Sequence, residues 1–379
     1  MTRINADWVL SPPARKVMTL LRDGGHQAYF VGGCVRNALL EAQVTDLDIA
    51  TDALPNAVLA LSDASGLKAI PTGLEHGTVT VIADGVPFEI TTFRKDIDTD
   101  GRHATVAFTD DLTQDARRRD FTMNALYADS DGRVVDPLNG LPDLQAGKLR
   151  FIDDAAQRIR EDYLRILRFF RFHAWYADPA GGFDPDGLSA CAALADGLAD
   201  ISKERIGAEM LKLLAAPDPG PSLGAMQQSG VLAQVLPGSD PKASFLVIAT
   251  HPIDPILRLA ALGGEAPAAY LRLSKSDARR VEVLRDAATS TQTPGALGYR
   301  LGAVDAVGAL HLRAAFFEQP VNPDDCAKAE KSATRSFPIK AADLMPAYQG
   351  AALGKRLKEM EEAWIASDFT LSKSDLMRL

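Results

Sequence analysis

A chain of 379 residues, 46% of them hydrophobic, is too long for one ordinary core and predicts two to four domains. No apolar run approaches the ~18 residues that span a bilayer, and the opening MTRINADWVL lacks a basic-then-apolar secretory pattern. The net charge of −9 argues against a polyanionic partner on average, yet the arginines cluster at 117, 118 and 119 and again at 158, 160, 165, 168 and 171.

An acidic surface can therefore coexist with one basic groove. The three cysteines, Cys34, Cys191 and Cys326, are scattered without a C-x-x-C pair, so neither a disulfide framework nor a zinc knuckle is implied. The expectation is a soluble, reduced, cytoplasmic protein with no membrane partner.

The first stretch mixes strands and helices. AYFVGG (residues 28–33) reads as a strand ending in a glycine turn, and CVRNALLEA as a short helix. TDLDIA is a strand by its alternation. PNAVLALSDA opens on proline, a good first helical residue, and continues as a helix. GTVTVIADGVPFEITTF is two alternating runs around Asp84-Gly85, a strong hairpin signal. The polar residues 94–103 that follow read as a mobile loop. From about residue 153 strand signals largely disappear, helical periodicity runs to the C-terminus, and Pro/Gly-rich connections fall at 178–187 and 216–222.

Asp46 and Asp48 are the first chemical signal. In a strand, residues i and i+2 point the same way, so both carboxylates share a face. Like charges so placed repel unless a cation sits between them, and Mg²⁺, a hard ion, takes one or two carboxylates together with substrate phosphates. The pattern alone carries little, because Asp96/Asp98/Asp100, Asp129/Asp131 and Asp184/Asp186 repeat it. Context adds weight. Ten residues earlier a strand runs into Gly32 and Gly33 and then a helix, where backbone N–H groups can approach an anion and Arg36 adds a fork for phosphate. Glu89 supplies a third carboxylate if its strand lies beside that of Asp46 and Asp48; the alternative is a solvent-facing strand residue.

IREDYLRILRFFRFHAW (residues 159–175) reads as one helix. Ile159, Tyr163, Ile166, Phe170 and Ala174 fall on one face; Arg158, Glu161, Asp162, Arg165 and Arg168 fall opposite, with Arg171 drifting off the stripe. A solvated face laced by i,i+3 and i,i+4 ion pairs explains the pattern. A second reading is more specific: Asp162 accepts from an exocyclic amine while Arg165 donates to ring acceptors, which fits C or A and leaves U or G unpaired.

GGCVRNALL, DLDIATDALP, GLEHGTVTV, FEITTFR, DGRHATVAF, RRRDFTMNAL and EDYLRILRFFRF follow one another in the order seen in class II tRNA nucleotidyltransferases. These are the CCA-adding enzymes, related to bacterial poly(A) polymerases within the DNA polymerase beta superfamily. The resemblance covers about residues 28–176, and SKERIGAEMLKLL with GVLAQVLP resembles the helices that follow. It implies an α+β architecture: a nucleotidyltransferase head with a mixed sheet at 1–148, a helical neck at 149–215, a body at 216–290 and a tRNA-binding tail at 291–379. The implied reaction is two-metal, template-independent addition of CCA to the 3′ end of tRNA from CTP and ATP. Asp46 and Asp48 would hold Mg²⁺, with Glu89 beside them. Gly32, Gly33 and Arg36 would meet the triphosphate, and Arg119 the sugar and phosphates. Asp162 and Arg165 would read the base, Glu161 would orient Arg165, and Arg168 and Arg171 would help bind the nucleotide. The family usually has Asp where this chain has Asn37, which removes a charge near the phosphate cradle. Residues 94–103 match the loop that full CCA-adding enzymes keep. The rivals are a poly(A) polymerase, disfavoured by PTGLEHGTV where a GRRF-like run is usual, an A-adding-only enzyme, and a non-catalytic RNA-binding protein. The oligomeric state is left open by the sequence.

Overall fold

The computed structural model describes residues 2–100 and 103–379. The chain divides into two compact units, Met1–Ile206 with Gln228–Gln234, and Gly207–Gln227 with Val235–Leu379.

The first unit begins with α1 (Pro12–Asp23), where Ser11 accepts a hydrogen bond from the Ala14 N–H and two prolines fix the first turn. Then come β1 (Ala28–Val31), α2 (Gly33–Leu39), β2 (Leu47–Thr51), α3 (Pro55–Ala64), β3 (Lys68–Gly73), β4 (Thr78–Ala83) and β5 (Val86–Thr92). Two short strands, β8 (Tyr127–Ala128) and β9 (Val134–Val135), complete a sheet ordered β3-β4-β5-β2-β1-β8-β9 among the described residues. It is mixed, as expected: β2 and β5 run parallel, and the other pairs run antiparallel. The β4–β5 hairpin turns at Asp84 (φ 50°) and Gly85 (φ 83°), the double positive φ of a type I′ turn. Val79, Val81, Phe88 and Ile90 from its two strands are buried.

Three local expectations are corrected. Residues 94–103, read as a loop, are strand at their described positions: β6 (Arg94–Asp100) pairs with β7 (His103–Phe108) as a separate ribbon. Gly101 and Arg102 lie outside the described residues. The polar composition suggested a loop, but the backbone pairs from Arg94↔Phe108 to Asp100↔His103, with a register shift between Asp96 and Asp98. Asp46 stands just before β2 rather than inside it. The helix read over 159–175 is two, α6 (Ala155–Glu161) and α7 (Leu164–Tyr176), after α4 (Leu112–Arg117) and α5 (Leu141–Gln145). Between them Asp162 is extended, with φ −157° and ψ 105°. Its side chain accepts from the Leu164 N–H at 3.1 Å, so an aspartate at the break satisfies a backbone donor at the start of α7. The neighbouring Tyr163 fits because Gly197 packs against it; a Cβ there would lie 2.1 Å from the ring.

The first unit continues with α8 (Pro185–Ala193) and the opening of α9 (Lys203–Leu214). Helices carry the second unit. Helices Pro294–Leu301 and Pro323–Ala333 meet at Gly298, where a Cβ would lie 2.0 Å from the Ala329 carbonyl oxygen. Elsewhere in this unit Arg258 is buried, donating to the carbonyls of Leu214, Ala216 and Pro217. Met360, Trp364 and Phe369 form a further core with Tyr299 against it. Among the described residues no helix is long and apolar enough to cross a membrane.

Candidate active site

The parallel pairing of β2 and β5 sets Asp48 directly opposite Glu89. Asp46, Asp48 and Glu89 line one cavity of about 280 Å³ together with Thr45 and Thr80. Burial first, then the Glu89 carboxylate and to a lesser degree Asp46, pushes Asp48 up to about 6, although Arg119 pulls the other way. Among the described residues no cluster of three or more His, Cys, Asp or Glu could hold a metal unaided. An all-oxygen pair crowded by a third like charge nevertheless suits a hard divalent cation that takes its remaining ligands from phosphate and water. Cys34, buried behind the strand with its thiol pushed up to about 11 by burial, is not a ligand candidate.

Beside the carboxylates, β1 ends at Gly32, whose φ of 70° and ψ of −119° require glycine. A Cβ on Gly32 would face Arg119 Nη1 at 3.5 Å, and one on Gly33 would face Arg36 Nη2 at 3.8 Å. The glycine turn, Arg36 and Arg119 are therefore brought together. Arg36 is 6% exposed and bonds to neutral oxygens: Asn37 Oδ1 at 3.1 and 2.8 Å, Asn124 Oδ1 at 2.5 Å and the Tyr176 hydroxyl at 2.9 Å. It also stacks on Tyr176, 4.1 Å from the ring centre. Arg168 and Arg171 join Arg36 around Phe172, at 5.2, 4.3 and 5.1 Å from that ring.

Two buried aspartates organise the arginine run. Asp115 accepts from Arg118 Nε at 2.8 Å, Arg119 Nη2 at 3.1 Å and the Tyr127 hydroxyl at 2.7 Å. Burial would raise its carboxyl, but the two guanidinia and the hydroxyl outweigh it and hold it at about 2. Asp120 accepts from Arg168 Nε and Nη2 at 2.8 and 2.5 Å, from Asn124 Nδ2 at 2.9 Å and from the Phe121 N–H at 2.8 Å. The same contest of burial against Arg168 and Asn124 leaves it at about 2.

Arg165 donates to Glu161 Oε2 at 2.5 Å and to the carbonyls of Arg158 and Arg118 at 2.9 and 3.1 Å. Glu161 bridges Arg158 and Arg165. Thus Arg165 is anchored beside the turn after α4 that carries Arg119. Asp162 points from the α6–α7 break and pairs with Arg205 at 2.7 Å. His173 stacks on Phe183, 3.6 Å between ring centres.

Residues 28–150 match the family described as Poly A polymerase head domain, and residues 182–242 match the Probable RNA and SrmB-binding site of polymerase A. CCA tRNA nucleotidyltransferase 1, mitochondrial, of Homo sapiens is 46% identical over 190 residues, 50% of this chain and 44% of the human protein. The CCA-adding enzyme of Geobacillus stearothermophilus is 38% identical over 245 residues, 63% of this chain and 59% of that protein. A crystal structure of Bacillus stearothermophilus CCA-adding enzyme in complex with CTP superposes with a TM-score of 0.78 at 29% identity, covering 97% of this chain and 98% of that one. The head of the chain, residues 28–150, belongs to the Poly A polymerase head family, and the chain as a whole is similar to CCA-adding enzymes. Its alignments span about half the length of the relatives it matches, 44% for the human protein.

The departure at Asn37 from the aspartate usual in the resembling family is mild in this chain. Asn37 Oδ1 still receives two Arg36 donors, and its Nδ2 donates to the Gln43 carbonyl at 2.8 Å, so the guanidinium keeps its orientation without an adjacent carboxylate. Asp115, Asp120, Asn124, Tyr127, Tyr176 and Arg205 escape a reading by motif. Only Asp115 leaves a local trace, standing three and four residues before Arg118 and Arg119.

Proposed function

We propose that this chain adds CCA to the 3′ end of tRNA, taking CTP and ATP in turn and releasing pyrophosphate without a nucleic-acid template. The observation that carries the reading is the acidic pair opposed by Glu89, with Arg119 near enough to act on Asp48 and the arginines anchored on two buried aspartates. It is also the activity named for the relatives of Homo sapiens and Geobacillus stearothermophilus, and the Bacillus stearothermophilus structure contains CTP.

In this reading Asp46 and Asp48 hold Mg²⁺, with Glu89 setting the local charge. Held there, such an ion would supply charge neutralisation for the triphosphate and a lowered pKa for the attacking hydroxyl. Gly32 and Gly33 let the backbone approach the triphosphate, Arg36 and Arg119 grip its oxygens and the sugar, and Arg168 and Arg171 add positive charge. The tRNA 3′ oxygen bonds to the α-phosphorus, the α–β bridging bond breaks, pyrophosphate leaves, and the hydroxyl proton passes to solvent. Arg165, braced by Glu161, donates to the ring acceptor of C or A, and Asp162 accepts from the exocyclic amine. We assign the head to 1–148, the neck to 149–215, the body to 216–290 and the tRNA-binding tail to 291–379, acting in the cytoplasm.

The test offers tRNA lacking CCA, tRNA ending in CC and an unstructured RNA, each with single labelled nucleotides and Mg²⁺. Two C additions followed by one A on the first substrate support the reading. A alone on the second only, or long A tails on unstructured RNA, would replace it with one of its rivals.

A further inference from the structure

We infer that Arg205, at the start of α9, is a positioning residue for nucleotide choice that aims the Asp162 carboxylate; the inference rests on the base-reading role proposed above for Asp162 and Arg165. Arg205 Nη2 donates to Asp162 Oδ2 at 2.7 Å across 43 residues of sequence. Asp162 Oδ1 already accepts from the Leu164 N–H at 3.1 Å. Each carboxylate oxygen is therefore held by one donor, which fixes the plane of the group, and each keeps lone-pair capacity for an incoming amine. Asp162 needs this support because it stands at the extended break between α6 and α7. Arg165 is held from a different direction, by Glu161 and two backbone carbonyls. Donor and acceptor of the reading pair thus have separate braces.

A purely structural role for the ion pair is the competing account. The Arg205 and Asp162 side chains are 44% and 29% exposed, and pairs that wet contribute little to folding. The adjoining Ile206 is buried and gives the start of the helix an apolar anchor of its own. What the bond does accomplish is to remove the rotational freedom of one carboxylate.

The experiment compares wild type, R205A, R205K and R165A as full-length chains, measuring incorporation of CTP, ATP and UTP on tRNA lacking CCA, together with thermal midpoints. R205A should raise UTP incorporation relative to CTP about tenfold and raise the KM for CTP several-fold, with kcat and the thermal midpoint nearly unchanged. R205K, which still offers a charged donor, should recover most of the discrimination. If R205A keeps the wild-type ratio and KM while R165A loses its preference, the inference is overturned and the base-reading role stands. If R165A also keeps its preference, the base-reading role fails and takes this inference with it. A lowered midpoint in R205A with unchanged selectivity in both R205A and R205K would make the residue structural and overturn the inference.

Discussion

Asp48 and Glu89 oppose each other across the only parallel pairing of the described head sheet, with Asp46 at the rim of the same cavity. A fold left to maximise stability would not crowd carboxylates there, so the arrangement makes three separable predictions. Asp48→Asn should abolish nucleotide incorporation, by about a thousandfold or more, while tRNA binding in a gel shift persists. In EDTA the same variant should be slightly more stable than wild type, by on the order of 1 kcal/mol once solvent screening is allowed for. Wild type should gain thermal stability on adding Mg²⁺, and the variant should not. An Mg²⁺ response that survives in Asp48→Asn would remove the metal assignment.

Asn37 should matter through its oxygen, not its charge. Asn37→Ala strips two acceptors from Arg36 and should raise the KM for CTP about tenfold with kcat little changed. Asn37→Asp keeps both acceptors and should remain within about threefold of wild type, since a charge-assisted bond replaces a neutral one. Steady-state kinetics on the three proteins decides between them.

The aspartates behind the arginines set the response to acid. Asp115 and Asp120 both sit at about 2 in the folded protein, below their unfolded value. Depressed carboxyls stabilise the fold fully above about pH 4, and the contribution, roughly 2–3 kcal/mol each, is lost as pH falls through 2. Denaturation between pH 5 and pH 2 should therefore steepen towards the acid end. Asp115→Asn should flatten that slope and cost about 3 kcal/mol at pH 7 by leaving Arg118 and Arg119 without their buried counter-charge. An unaltered slope in the variant would count against the network.

In the second unit, Gly298→Ala places a methyl carbon 2.0 Å from a backbone oxygen of the neighbouring helix. The two helices must separate, and chemical denaturation should register a loss of about 1–3 kcal/mol. A variant as stable as wild type would mean that the helices do not approach this closely.

The parts of the head visible in the sequence were those governed by short-range rules. The β4–β5 hairpin is announced by Asp84-Gly85 and by strict alternation on both sides. β3 is not, because Pro71 interrupts it; the strand survives because it lies at the sheet edge, where a missing N–H costs no ladder bond. The break at Asp162 is invisible to a 3.6-residue period, since apolar residues continue in phase on both sides of it. The pairs that brace the candidate site, Arg36 with Tyr176 across 140 residues and Asp120 with Arg168 across 48, depend on tertiary placement that no spacing rule encodes. Motif order located the carboxylates and arginines; what holds each of them required coordinates.

Arg36 keeps its charge among neutral oxygens inside a chain whose sum is −9. Beyond a Debye length of about 8 Å the repulsion from that net charge is largely screened, so a polyanion that comes closer responds to the charges nearest it, and beside the glycine turn those include Arg36 and Arg119. The local arrangement of charge, and not the sum over the chain, then decides whether an anion is held there.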